Sequence, residues 1–340
     1  MLGAGGITGF AYHVGVLSAL HRLTGWDPGV AEVIVGTSAG SVCGSILRGG
    51  VPVDEVLAHA LAAPSEPETM AQLRVLSGRD RSSGGWWLGP SSPALATREL
   101  LRGMRLRPGR LGTALLPSGR IPTEFLGDRL RDLHGLRWPE ARFWACSVRL
   151  DDGQRVVFGE GDLTVDVGTA VEASSAIPGF FRPVTIGGKR YVDGAVHSPT
   201  NADLLAGADL DLVVIVSPMS ASCADAVRAV DGPARIRSAQ LLASEVGRLR
   251  RDGRAVLVIQ PSRDETRAMG PFYMDPTRLV PTVAQATAST LRRLADPRFA
   301  TQLDLLRRAS APAARDAAVG PEPGPGVRPS ATPGSGDERA

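Results

Sequence analysis

Ser38 lies in a run of small residues, Gly36-Thr37-Ser38-Ala39-Gly40, with a β-branched apolar stretch before it and a helix-like stretch after it. The spacing G-x-S-x-G is that of a nucleophile elbow, where a strand turns sharply into a helix and leaves a hydroxyl clear of the backbone. Residues two before and two after such a serine come so close to their surroundings that only glycine fits. At a helix start the free backbone N–H groups and the helix dipole favour developing negative charge. These features suit acyl transfer at Ser38. The competing reading of the five letters is an ordinary glycine-rich turn, in a chain with 40 glycines.

A serine hydroxyl needs a base, and the tetrahedral intermediate of acyl transfer needs hydrogen-bond donors. The stretch "LGAGGITGF" at residues 2–10 offers donors, because Gly5 and Gly6 open a helix and can turn their N–H groups towards one point. A phosphate or dinucleotide loop competes for the same residues. Gly3, Gly5 and Gly9 miss G-x-G-x-x-G by one position, and the Gly-Lys-Ser/Thr of a P-loop is absent. His13, His21, His59, His134 and His197 form no ligand-spaced cluster, so neither a metal nor another cofactor is expected. Cys43, Cys146 and Cys223 are odd in number, far apart and set in apolar segments. Free buried thiols in a reducing compartment are expected.

The chain has 340 residues, 43% hydrophobic and 21% charged, with a formal net charge of +3. That describes a globular protein able to bury a full core. Acidic and basic residues are interspersed and no basic stripe carries interleaved aromatics, which speaks against nucleic-acid binding. No apolar run approaches the roughly 20 residues of a bilayer span. The N-terminus lacks the basic and apolar regions of a signal peptide. A cytoplasmic protein is expected, with its oligomeric state undefined by the sequence.

These residues must be positioned by elements that the pattern also suggests. Residues 1–50 read as a βαβ unit short of most of its first strand: a glycine-rich loop, a helix from about Phe10 to Leu23, a strand at 31–35, the elbow and a second helix. Residues 51–140 read as a mostly helical, cap-like segment interrupted at 77–93 and over "RPGRLGTALLPSGRIP". Trp86 and Trp87 lie in the first interruption. Their indole rings suit peripheral contact with a lipid surface, and packing into the cap is the other reading. Strands follow at "RFWACSVRL" and "QRVVFG", joined by Asp151-Asp152-Gly153. "VGTAVEASSAIPGFF" reads as a short helix, and "VTIGGKRYVDGAV" as a hairpin. "LDLVVIVSP" and "AVLVIQPS" read as strands framing a helix over about 234–251. A final helix is expected over 283–308, then a disordered tail over 310–340. Strands alternating with helices indicate an α/β sheet with a parallel portion.

Three motifs in order resemble the patatin-like phospholipases. They are "GAGGITG" followed by "HVGVLSAL", the elbow "GTSAG", and the Asp-Gly-Ala of "YVDGAV"; "ASSAIPGFFRPV" resembles the stretch before the catalytic aspartate in bacterial members. The resemblance implies a patatin-like three-layer sandwich, with a mostly parallel central sheet and helices on both faces, over residues 1–309. It implies a Ser-Asp dyad without histidine. Ser38 would be the nucleophile and Asp193 the proton acceptor. Gly5 and Gly6 would form the oxyanion hole, with Gly3, Gly9, Gly36, Gly40, Gly194 and Ala195 supporting the motifs. His13 would pack under the loop. The implied substrate is a carboxylic ester of a lipid, cleaved as by a phospholipase A or lysophospholipase. An esterase or acyltransferase using the same dyad, and a non-catalytic lipid-binding relative, are the alternatives. Outside the resemblance, Asp193-Gly194 reads as a hairpin turn. Three features depart from the family pattern. Thr8 stands where Arg or Lys is usual, and Ala4 where Gly is usual. Only Met1 and Leu2 precede the loop, so either the assigned start is late or the sheet lacks part of a strand.

Overall fold

In a computed structural model the described residues are 1–62, 90–101, 108–161, 165–222, 225 and 231–310. Trp86-Trp87, Cys223 and the tail after residue 310 lie outside them. The first half runs α1 (Gly6–Thr24), β1 (Ile34–Thr37), α2 (Ala39–Arg48), α3 (Val53–Ala62), α4 (Pro93–Leu101), α5 (Pro108–Leu115) and α6 (Glu124–His134). The second runs β2 (Phe143–Arg149), β3 (Arg155–Phe158), α7 (Val167–Ser174), β4 (Val184–Ile186), β5 (Lys189–Asp193), β6 (Leu212–Val216), α8 (Gly232–Arg251), β7 (Ala255–Ile259), α9 (Arg263–Met269), α10 (Leu279–Leu294) and α11 (Ala300–Ala309).

β1 pairs parallel with β2, and β6 parallel with β7. Leu2 joins the two pairs, bridging in parallel to Gly36 on one side and Val216 on the other. Its N–H donates to Val35 O and its O accepts from Thr37 N–H, while Gly3 N–H donates to Val216 O and Val216 N–H to Met1 O. Met1–Gly3 therefore fill the central place between β1 and β6 with three residues. β3 and β5 run antiparallel to β2, and β4 antiparallel to β5.

Side-chain alternation along these strands builds two cores. Ile34, Phe143, Ala145, Leu257 and Ile259 face one core with Tyr12, Leu17 and Leu20 of α1, Cys43 and Leu47 of α2, and Ala286 and Leu294 of α10. Val35, Cys146, Val213, Ile215 and Val256 face the other, with Leu242, Val246 and Leu249 of α8. The result is the expected three-layer mixed α/β architecture, with helices on both faces of a mostly parallel sheet.

Several local expectations are corrected. α1 begins at Gly6 rather than Phe10, so the glycine loop is already helical. The strand before the elbow is Ile34–Thr37, running directly up to Ser38. The stretch after Arg107 forms α5, because Leu111 and Ala114 pack on Leu95, Val148 and Val192. The single final helix is two, α10 and α11, separated by a short 3-10 turn at Pro297–Phe299 that Asp296 caps. A proline cannot continue the hydrogen-bond ladder, and an Asp before it starts a new turn. Among the described residues no helix is long and apolar enough to cross a membrane.

Candidate active site

The register of β2 brings the site together. Thr37, the last residue of β1, lies opposite Cys146, and Asp193, the last of β5, lies opposite the adjacent Ser147. Ala145 and Cys146 also pair with β3, as do Ser147 and Val148. β1 and β5 therefore lie end to end along one edge of β2, with β3 on the other edge. They run in opposite directions, so their C-termini point at each other. Ser38 follows one end and Asp193 forms the other, 155 positions apart in sequence.

Ser38 has φ 54 and ψ −121. Among the described residues it and Asn201, with φ 50, are the non-glycine residues with positive φ. Holding a residue with a Cβ there costs of order 1–3 kcal/mol and persists only where the surroundings enforce it. The enforcement is tight. A Cβ at Gly40 would lie 1.9 Å from Leu2 O, and one at Gly36 would lie 2.4 Å from Ser41 Cα. The Ser38 N–H donates to Ser174 Oγ at 3.0 Å, and Ser174 Oγ donates to Cys146 O at 2.6 Å. Asn201 Nδ2 donates to Thr37 Oγ1 at 3.1 Å and to Ser198 O at 2.7 Å.

Asp193 is 3% exposed, like Ser38. Its N–H donates to Ala176 O at 3.0 Å, and its Oδ1 accepts from Ala195 N–H at 2.8 Å. Burial raises its pKa to about 6, with the bonds from Ser38 and Ala195 opposing the rise. Asp193 begins a 3-10 turn, Gly194–Val196, rather than turning a hairpin. A Cβ at Gly194 would lie 2.4 Å from Cys146 O.

The N-termini of α1 and α2 pack side by side here, a Cβ on Gly9 lying 3.6 Å from Ala39 Cβ. Gly6 has φ 59 and Gly5 precedes it as the α1 cap. Ala4, Thr8 and Gly9 donate their N–H groups to Pro199 O, Tyr273 O and Gly5 O. First-turn N–H groups lack intrahelical acceptors, and two helix starts together favour an anion. Gly9 differs from the other motif glycines: a Cβ there meets nothing closer than 3.5 Å. Gly3 is intermediate, with backbone oxygens at 3.2 Å.

His13 packs under the loop, its Nε2 on Gly3 O at 2.7 Å, and burial lowers its pKa to about 4. The ring is therefore neutral with Nε2 as donor. His197 Nδ1 lies 3.3 Å from Arg110 Nη2. Thr8 is fully buried. Cys43 and Cys146 are free and buried, their thiols pushed up to about 12 by desolvation. Ser174, Ser147 and Asn201 received no role from the sequence. Ser147 Oγ donates to Val192 O at 2.7 Å, tying β5 to β2 beside the aspartate. The one signal for Ser174 was its place in "ASSAIPGFF".

A buried serine at a strand-to-helix elbow, with a buried aspartate at the end of an opposed strand, defines an α/β protein with a candidate serine–acid site. The chain belongs to the patatin-like phospholipase family, whose model matches residues 1–206. It is 29% identical over 265 residues to uncharacterized NTE family proteins of Mycobacterium bovis and Mycobacterium tuberculosis, covering 77% of this chain. It spans 58% of the length of those relatives. Among solved structures it is similar to VipD from Legionella pneumophila, with a TM-score of 0.34 and 15% identity over 85% of this chain and 66% of that one.

Proposed function

We propose that the protein is a serine acyl hydrolase acting on carboxylic esters of lipids, in the manner of a phospholipase A or lysophospholipase, within one domain over residues 1–309. Family membership supports the lipid ester class. The observation that carries the mechanism is the placement of Ser38 and Asp193, each 3% exposed, at the facing ends of β1 and β5 against adjacent residues of β2, with burial raising the carboxylate pKa to about 6.

In this mechanism Ser38 Oγ attacks the ester carbonyl carbon as its proton passes to Asp193. A raised pKa makes Asp193 a stronger base than a free carboxylate, and it stays ionised above pH 6. The N–H groups of Gly5 and Gly6 receive the oxyanion. The tetrahedral intermediate collapses, the alcohol leaves with the proton from Asp193, and the acyl group remains on Ser38. Water then gives a proton to Asp193 and attacks the acyl carbon. The fatty acid departs and Ser38 regains its proton. Neither histidine near the loop takes part: His13 is committed to Gly3 O and His197 to the Arg110 side of the fold.

The buried free thiols support a reducing, cytoplasmic setting. Peripheral contact with lipid surfaces follows from the substrate class, and replacing Trp86 and Trp87 by Ala should lower turnover of vesicle lipid more than that of a short-chain ester.

A fluorophosphonate probe tests the central reading. Wild type should be labelled and Ser38→Ala should not. Asp193→Asn should lose about 10²–10⁴-fold in kcat, the usual worth of a general base. The double variant should lose little more, because the two residues act as one unit. Labelling that survives Ser38→Ala, or full turnover in Asp193→Asn, would overturn it.

A further inference from the structure

Arg235 of α8 is wholly buried, which is unusual for a guanidinium and calls for a reason. Its Nε donates to Asp231 Oδ2 at 2.7 Å and its Nη1 to Pro218 O at 2.8 Å. Its guanidinium carbon lies 5.6 Å from the centre of the Tyr273 ring. The Tyr273 hydroxyl donates to the same Asp231 oxygen at 2.6 Å. Arg235 thus fixes two groups that belong to separate loops, one after β6 and one after α9.

Both groups press on the glycine turn before α1. A Cβ at Gly5 would come within 3.0 Å of Pro218 Cβ, and one at Gly6 within 2.7 Å of Tyr273 O. Tyr273 O also accepts from Thr8 N–H at 3.1 Å. Pro218 therefore bears on Gly5, and the Tyr273 backbone bears on Gly6 and the first turn of α1. Neither wall has a regular strand or helix to hold it in place.

We propose that Arg235 is a positioning residue for the Gly5–Gly6 turn, holding Pro218 and Tyr273 as the two walls that aim its N–H groups. The proposal rests on the hydrolase reading above, in which those groups receive the oxyanion. Lysine keeps the charge but cannot span Asp231 and Pro218 as a planar fork does. A small misplacement of donors acts on the transition state and not on substrate binding.

The test compares wild type, Arg235→Lys and Tyr273→Phe with a p-nitrophenyl ester, and measures affinity for an alkyl trifluoromethyl ketone, whose serine adduct carries an oxyanion. Arg235→Lys should lose about 10–100-fold in kcat while KM stays within about twofold, and ketone affinity should fall by the same factor. Tyr273→Phe should shift kcat and ketone affinity together in the same direction by about threefold, as expected for one lost hydrogen bond. Folded Arg235→Lys with wild-type kcat and ketone affinity would overturn the proposal. If Arg235→Lys does not fold, wild-type values in folded Tyr273→Phe do so. A rise in KM with kcat unchanged also overturns it, since that marks a binding role. Wild type without Ser38-dependent turnover would instead overturn the hydrolase reading, and this one with it.

Discussion

The two residues of the proposed dyad are held by different physics. On the β1 side, backbone contact dominates: Ser38 sits at φ 54, and Gly36 and Gly40 leave no room for a methyl group. On the β5 side Asp193 has an ordinary φ of −47 and is held by hydrogen bonds from its neighbours, Ala195 N–H to its carboxylate and its own N–H to Ala176 O. Ser38 is set by sterics and Asp193 by polar partners in a dry environment. Steric positioning is all-or-none at short range, whereas hydrogen-bonded positioning is tunable by single side-chain changes. Substitutions on the two sides should therefore fail in different ways.

The largest effect is expected at Gly40. A Cβ 1.9 Å from Leu2 O has only main chain to displace, so Gly40→Ala should lose roughly 3–5 kcal/mol, as severe core clashes do. Thermal or denaturant unfolding checks it; a stable Gly40→Ala would mean that the elbow relaxes and that sterics do not hold it.

Next comes the base. The folded pKa of Asp193 is raised from 3.8 to about 6, so burial of the charge costs stability above pH 6. That stability is fully present below the unfolded pKa and is lost as pH rises from about 4 to about 6. Asp193→Asn should then be more stable than wild type by roughly 3 kcal/mol at pH 8, from about two pKa units at 1.36 kcal/mol each. The gain should vanish near pH 4. Wild-type activity should rise with pH through about 6, as the carboxylate ionises. A variant that is inactive and less stable at pH 8 would refute the account of a desolvated base. His13 has the opposite sign: its pKa is lowered to about 4, so it destabilises the fold as pH drops from about 6.5 to about 4. His13→Gln should reduce that acid-side loss.

Ser174→Ala should come third. It leaves the buried Ser38 N–H without its acceptor, costing about 1–3 kcal/mol, and should lower kcat beyond what folding accounts for. Equal kcat per folded molecule would show that the glycines alone hold the elbow.

The smallest effect is expected at Gly9, where a Cβ meets nothing nearer than 3.5 Å. Gly9→Ala should be neutral or stabilising by up to about 1 kcal/mol, since alanine favours a helix. If it folds but loses activity, Gly9 is glycine to admit substrate and not for packing.

The same contrast explains what the sequence made legible. Sterically held positions leave a letter pattern, because only glycine fits; Gly36 and Gly40 announced Ser38. Asp193 carries no such mark and was found through the family resemblance. Ser174, Ser147 and Asn201 act through hydrogen bonds to residues 28–164 positions away, and a serine that does so looks like any other. An α/β sheet with a parallel portion was legible from apolar strands alternating with helices, and its three layers came from the family resemblance. α5 was not, because Gly109 and Gly112 lower its helix propensity and packing on Leu95 and Val148 overrides them. Arg235 was hidden for a similar reason. α8 carries five arginines among its 20 residues, and nothing in that run marks one as buried.

The end-to-end placement of β1 and β5 on β2 has an evolutionary consequence. Ser38 and Asp193 are referred to the same two residues, Cys146 and Ser147, so the distance between them is read off one strand. The 94 residues between α2 and β2 (numbers 49 to 142) join that ruler at their two ends, and among the described ones Leu95, Leu111 and Ala114 also pack on it at Val148 and Val192. Away from those contacts, insertions, deletions and replacements can alter what reaches the serine without moving the strand ends. Selection can therefore rewrite substrate preference in that stretch while the proposed dyad stays fixed, and a chimera that carries the corresponding stretch of another member and keeps those packing residues is the natural way to exploit it.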